Sequence, residues 1–180
     1  MTSHAVDKTL SEPTGPLLPT RSGMMLATRR VTAGDAAALG AFFAELSPED
    51  MRFRFLSARP TLSPDQLSAM INVDHRHSEH LLAFDSASGR LVASLLVAAD
   101  EGMDSAEVAI AVHPEFKALG IGWSLLNHAA QLARERGLRR LCAIESRDNH
   151  RAIEIERALG FRVSEYEGDP ALLLVEADLG

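Results

Sequence analysis

Apolar residues recur along this chain with two periods, and the switches between them mark its elements. Leu39, Phe42, Phe43 and Leu46 recur at helical spacing behind Thr32 and Asp35, which together read as a capping box. Ser47-Pro48-Glu49-Asp50 and Ser63-Pro64-Asp65-Gln66 each offer a capping serine, a proline at the first helical position and acid in the first turn. Leu67, Met70 and Ile71 are the buried stripe behind the second of these starts. Residues 24–30, 80–84, 90–98 and 105–112 read as strands, with Ser86-Ala-Ser-Gly89 and Glu101-Gly-Met-Asp104 as turns. An amphipathic helix over 122–136 closes at Gly137, with Arg134 and Arg136 suiting its negative end. A strand over 138–145 follows. Next comes a helix capped by Asp148 or Asn149, carrying Ala152, Ile155 and Leu159 and closed by Gly160. Strands over 161–166 and 171–175 end the pattern, turned at Gly168-Asp-Pro170. This order predicts an α/β domain with a mixed sheet over residues 23–180. Residues 1–22, interrupted by Pro13, Pro16 and Pro19, read as a flexible N-terminal tail.

Composition narrows the class. Of 180 residues, 46% are hydrophobic, enough for one domain with a real core. The formal net charge of −7 argues against nonspecific nucleic-acid binding, which needs a surplus of Lys and Arg. The single cysteine excludes an intrachain disulfide framework and suits a reducing compartment. No apolar run approaches the roughly 18 residues of a membrane helix, and the N-terminus lacks a secretory pattern. The expectation is a cytoplasmic protein that engages neither nucleic acid nor membrane.

The segment richest in chemistry is Val108-Ala-Ile-Ala-Val112, then His113-Pro-Glu-Phe-Lys-Ala-Leu-Gly-Ile-Gly122, then a helix from Trp123 onward. A turn ending in Gly120-Ile121-Gly122 that opens a helix gathers backbone N–H groups at the positive end of the helix dipole. Such a place binds anions, most often phosphate.

Both the order of elements and this loop resemble the GNAT superfamily of acyl-CoA N-acyltransferases. The loop signature, (Gln/Arg)-x-x-Gly-x-(Gly/Ala), stands here as Lys117-Ala-Leu-Gly120-Ile-Gly122, with Lys in the place of Gln or Arg. Asp148-Asn149-His-Arg-Ala152 followed by Ala158-Leu-Gly160-Phe161 is similar to the family's late helix. A narrower resemblance runs through Phe42-Phe43, Leu46-Ser47-Pro48-Glu49, Arg52-Phe-Arg-Phe55, Leu62-Ser63 and Asp74. It points to the acetyltransferase domain of bacterial protein-lysine acetyltransferases.

The resemblance implies a GNAT fold, with a mixed, mostly antiparallel sheet of six to seven strands flanked by helices. It implies acetyl-CoA as cosubstrate, with the pyrophosphate on backbone amides of Lys117, Ala118, Leu119, Gly120, Ile121, Gly122 and Trp123. The pantetheine arm would lie along Ile110, Ala111 and Val112, and an N–H near Val112 would polarise the thioester carbonyl. Asn149 would contact pantetheine or substrate, or simply cap its helix. Glu107 is the candidate general base, because an amine must shed a proton to attack and a carboxylate raised by burial can accept it. The acceptor is then a primary amine, either a protein lysine or a small amine. Glu165, Glu167 and Asp169 would suit a cationic one by steering. A homodimer is compatible with the family. The family's late-helix tyrosine, a proton source for the leaving thiolate, is replaced here by Glu156, and the only tyrosine is Tyr166. That leaves a second reading open: a noncatalytic acyl-CoA sensor or interaction module.

Other groupings carry less. Asp74-His75-Arg-His77-Ser-Glu79-His80 has metal-ligand residue types without metal-site spacing, and reads as solvated loop or as the border of an acceptor cleft. No metal is expected. Cys142 reads as strand filler. Arg52 and Arg54 could grip an anion, Arg139 and Arg140 could meet the 3′-phosphate of CoA, and His113 reads as a turn residue. A dinucleotide site is the weaker rival: Glu145 stands in the place of a ribose-binding acid, but Leu125 takes the place of a third glycine.

Overall fold

In a computed structural model, residues 14–57 and 61–180 are described. The first 13 residues of the expected tail lie outside the described residues. Eight strands form one sheet: β1 Leu17–Pro19, β2 Met25–Arg30, β3 Ser78–Asp85, β4 Leu91–Ala99, β5 Ser105–Val112, β6 Arg140–Ser146, β7 Arg162–Glu165 and β8 Leu172–Asp178. Their order across the sheet is β1-β2-β3-β4-β5-β6-β8-β7. Every neighbouring pair is antiparallel except β5 with β6. The helices are α1 Ala36–Ala44, α2 Pro48–Phe55, α3 Pro64–Ile71, α4 Ile121–Glu135 and α5 His150–Ala158.

The continuous apolar runs of the central strands follow from burial on both faces. In β3, Leu81 and Ala83 pack with the α4 side chains Leu125, Leu126, Ala129 and Ala133. The alternate residues Leu82 and Phe84 pack with Leu39, Phe42, Phe43, Met51 and Met70 of α1–α3. The two clusters are the two sides of one sheet, and α4 is the helix that covers its first face.

The expected strands and helices all form, with shifts of a few residues at their ends. One strand was not anticipated. β1 lies inside the segment read as tail, pairing Leu17, Leu18 and Pro19 with Ala27, Leu26 and Met25. Its one proline, Pro19, is tolerated because this is an edge strand, where a missing N–H breaks no ladder. Gly15 N–H donates to Thr28 O at 2.9 Å, Thr28 Oγ1 to Pro16 O at 2.9 Å, and Ser124 Oγ of α4 to Pro19 O at 2.9 Å. The chain from residue 14 is thus tied to the sheet and to α4, and the sheet has eight strands where six to seven were expected.

Candidate active site

The site begins where the sheet comes apart. β5 and β6 pair in register only at Ser105–Arg140, Ala106–Leu141 and Glu107–Cys142. Beyond Glu107 the strands diverge, while β5 stays paired to β4 as far as Val112. His113 N–H donates to Val92 O of β4, and Asp104 O accepts from Arg139 at the start of β6. Strand alternation then turns the N–H groups of Ile110 and Val112 away from β4, into the gap. A cavity of about 400 Å³ fills this opening. Ile110, Ala111 and Val112 form one wall, Ile144 and Glu145 of β6 stand opposite with α5, and the turn before α4 closes the end.

That turn has the conformation glycine permits. Ala118 and Gly120 both take positive φ, 70° and 81°, and Gly120 caps α4 in the left-handed region. The first intrahelical bond runs from Ser124 N–H to Gly120 O, which leaves the amides of Ile121, Gly122 and Trp123 directed out of the helix start. A Cβ on Gly120 would lie 3.0 Å from Arg21 N, so the segment before β2 packs directly on the turn. A Cβ on Gly122 would meet no protein atom closer than Ile155 Cδ1 at 3.5 Å, so Gly122 leaves its space to the cavity it lines.

Of the expected cofactor residues, Ile110, Ala111, Val112, Lys117, Ala118, Gly120, Ile121, Gly122 and Asn149 line this one cavity. Leu119 and Trp123 turn their side chains elsewhere. Leu119 packs against the larger core cluster, and its carbonyl accepts from Ser22 Oγ at 2.9 Å. The Trp123 ring lies under the Arg21 guanidinium, 4.5 Å from it. What was expected of these two concerns backbone amides, which their side-chain placement leaves unchanged. Lys117 pairs with Asp50 at the start of α2.

Glu107 stands where the strands part. It lines the cavity and is exposed, not buried as the base argument supposed. It faces α2, where burial pulls the Arg54 guanidinium down to about 10, opposed by the charge of Glu107. Asn149 occupies the N-cap position of α5, but its side chain makes no cap bond. Instead its Nδ2 donates to Glu145 Oε2 at 2.7 Å. Beside Glu145 lies Glu156, only 4% exposed. The two carboxyls are within hydrogen-bonding reach, and burial raises both above the usual carboxylate range, Glu156 further because Glu145 adds its charge. Sequence reading missed this pair. Its signal was available: Glu156 falls four residues after Ala152, on the buried stripe of α5.

The remaining candidates lie elsewhere. Arg139 pairs with Asp104 and Arg140 with Glu176, at the end of β6 where the strands are still joined. Arg52 pairs with Asp148 at 3.3 Å. His113 is buried, accepts from Glu115 N–H at Nδ1 and donates to Glu45 at 2.6 Å. Cys142 offers its Sγ to Ala106 O, and burial pushes its thiol up to about 11, which suits filler and not a nucleophile. Asp74 accepts three backbone N–H groups, from Arg76, His77 and Ser78, and Glu79 is bonded to His75, Arg30 and Arg136. These residues hold a loop and do not border the cavity. Among the described residues no group of three or more His, Cys, Asp or Glu could hold a metal ion, and no helix is long and apolar enough to cross a membrane. Tyr166, Glu165, Glu167 and Asp169 also lie off the cavity wall, Glu165 paired with Arg147 at 3.0 Å.

A mixed sheet parted between two parallel strands, with a glycine turn and helix start at the parting, is an arrangement of the acetyltransferase fold. The chain belongs to the acetyltransferase (GNAT) family, whose profile matches residues 42–161. It is 27% identical over 124 residues to Acetyltransferase PA5475 of Pseudomonas aeruginosa, a match covering 67% of this chain and 66% of that relative, just under two thirds of its length. The GNAT domain of S. lividans PAT superposes with a TM-score of 0.82 at 26% identity, over 91% of this chain and 96% of that one. Spermidine N-acetyltransferase from Vibrio cholerae, solved in complex with CoA and spermine, shares the fold with a TM-score of 0.69 at 17% identity, over 86% of this chain and 95% of that one. The GNAT fold expected from the sequence is the fold observed.

Proposed function

We propose that this protein is an N-acetyltransferase that moves the acetyl group of acetyl-CoA to a primary amine by direct attack. The observation that carries the reading is the convergence of three things on one cavity. These are the free amides at the start of α4, the inward-facing N–H groups of Ile110 and Val112, and the Glu107 carboxylate. The amides and dipole of α4 suit a pyrophosphate, and the Gly122 surface lets a ligand approach the backbone closely. The N–H of Val112 is available to a thioester carbonyl as negative charge develops on it. Glu107, exposed to the cavity, takes the amine proton directly or through water. The CoA complex of the Vibrio cholerae relative supports the choice of cosubstrate. Glu49, Asp50 and Glu107 line the α2 side of the cavity and favour an acceptor that arrives as a cation, whether a protein lysine or a small amine.

The test is a thermal-shift titration with acetyl-CoA, dephospho-acetyl-CoA and NAD, followed by a transfer assay on a lysine peptide and a polyamine. Acetyl-CoA at a hundred times its Kd should add about 2.7 kcal/mol of apparent stability, and NAD none. No shift with acetyl-CoA would overturn the reading. Binding without transfer to any amine would instead favour an acyl-CoA sensor.

A further inference from the structure

The cavity has a proton-bearing wall that the mechanism above does not use. Glu145 at the end of β6 and Glu156 on α5 both line it, across the gap from the β5 residues that carry Glu107. The pair is asymmetric in its bonding. Glu145 Oε2 accepts the Asn149 amide at 2.7 Å, a bond that favours the ionised carboxyl. Glu156 is 4% exposed, and its Oε2 finds no donor among the described residues. Two ionised carboxylates in contact, one lacking any donor, are costly in a buried site, and a single shared proton removes both the repulsion and the missing bond. The bonding decides where that proton resides: the Asn149 amide holds Glu145 as the anion, and Glu156 keeps the acid.

We propose that Glu156 is the proton donor to the departing CoA thiolate, kept in its acid form by Glu145. The proposal rests on the direct-transfer reading. The amine nitrogen bonds the acetyl carbon and the C–S bond breaks. The amine proton goes to Glu107 and the proton of Glu156 goes to the sulfur. Glu156 is left as a carboxylate, and after CoA departs as the thiol it takes a proton back from solvent while Glu107 gives one up. Acid and base then act from opposite walls of one cleft, so neither proton need cross it. The pair's upper ionisation is raised toward the range of a thiol, near 8.5, where proton exchange between the two is close to balanced.

Several other charged groups line the same cavity. Glu107 lies on β5, Glu49, Asp50 and Arg54 on α2, Lys117 on the turn, and Asp148, His150 and Arg151 at the start of α5. The charge that raises Glu156 comes from Glu145, not from these neighbours.

The experiment compares wild type, Glu156→Gln and Glu145→Gln in kcat against pH with saturating acetyl-CoA and amine. The infrared carbonyl stretch of a protonated carboxylic acid is read at pH 8 in the resting proteins. The wild type should show the acid band and an alkaline fall in kcat. E156Q should lose the band, lose the alkaline limb and fall about a hundredfold in kcat, with KM for acetyl-CoA within about twofold. E145Q should retain turnover at lower pH with its alkaline limb displaced downward, because the charge that holds the proton on Glu156 is gone. E156Q should melt no lower than wild type at pH 8: a carboxyl raised on folding loses stability as pH climbs, and the amide does not titrate. An E156Q enzyme with wild-type kcat, or one that keeps the wild-type alkaline limb, overturns the proposal while leaving acetyl transfer intact. If E156Q misfolds, an unmoved limb in E145Q does the same. A wild type that transfers no acetyl group overturns the underlying reading, and the proposal with it.

Discussion

Lys117 of the glycine turn is paired with Asp50 of α2, 67 residues away in sequence and on the same cavity wall. The ion pair joins the turn that would receive phosphate to the helix layer on the other face of the sheet. It also means that the cation of the loop signature is already neutralised by the protein.

Lys117 should therefore matter less than its place in the signature suggests. K117A is expected to weaken acetyl-CoA by less than tenfold, with the backbone amides retaining most of the binding. D50A, which frees the ammonium, should tighten it by a few-fold, consistent with the roughly 1 kcal/mol or less of a partly exposed pair. Isothermal titration at two salt concentrations checks both, and a loss far above tenfold in K117A would contradict this ranking.

Gly120 should matter more, and for two reasons. At φ 81° a β-branched residue is strained by about 1–2 kcal/mol. A Cβ there would also meet Arg21 N at 3.0 Å. G120V should lower both acetyl-CoA affinity, by more than tenfold, and melting temperature. Comparing G120A with G120V by calorimetry separates strain from bulk.

E107Q should reduce kcat by about 10²–10⁴ with acetyl-CoA affinity nearly unchanged, since the amide keeps the shape and cannot accept the proton. A variant that turns over like wild type would remove Glu107 from the reaction.

His80 sets an acid limit on stability. The ring is fully buried, Nδ1–H donates to Met70 O at 2.7 Å, and Nε2 accepts from Ser94 Oγ at 2.8 Å. Burial first, with the charge of Arg54 opposing protonation as well, lowers this imidazole from 6.5 to about 4. Between those values the unfolded chain binds the extra proton, so stability is present above pH 6.5 and drains as pH falls toward 4, by about 3 kcal/mol. Asp35, held at about 2 by Arg29, extends the loss below its ordinary 3.8. Urea midpoints from pH 7.5 to 4 should show the first limb in wild type and not in H80Q, which should be less stable at pH 7.5 for want of one of the two ring bonds.

How much of this was legible in the sequence depended on whether the signal was local. Ser47 and Ser63 capped helices as read, because a cap and its proline are neighbours. β5 matched its expected bounds, because a β-branched run between turns has few other fates. β1 escaped, since a three-residue strand that ends in a proline carries no periodicity and its partner β2 lies beyond a turn. In the site, the glycine turn was readable because φ is a property of single residues. The Lys117–Asp50 pair, the bond of Asn149 to Glu145 and the meeting of Glu145 with Glu156 were not, because each joins elements that only the folded sheet brings together. The sequence placed Glu107 on β5, but its exposure was misjudged: it is the last residue of β5 registered with β6, and the strands part just beyond it.

That parting has a mechanical consequence. β1 to β5 and β6 to β8 are two ladders fastened to each other by three registered pairs near Ser105, Ala106 and Glu107. Beyond them the molecule is seamed, and the halves are held together mainly by the packing of α4 and α5 across the open end. Slow amide exchange should accordingly divide the protein into two cooperative blocks along β5 and β6. Whatever lies in the seam and bonds to Ile110 and Val112 on one side and to α5 on the other works as a rivet, making the two blocks open as one.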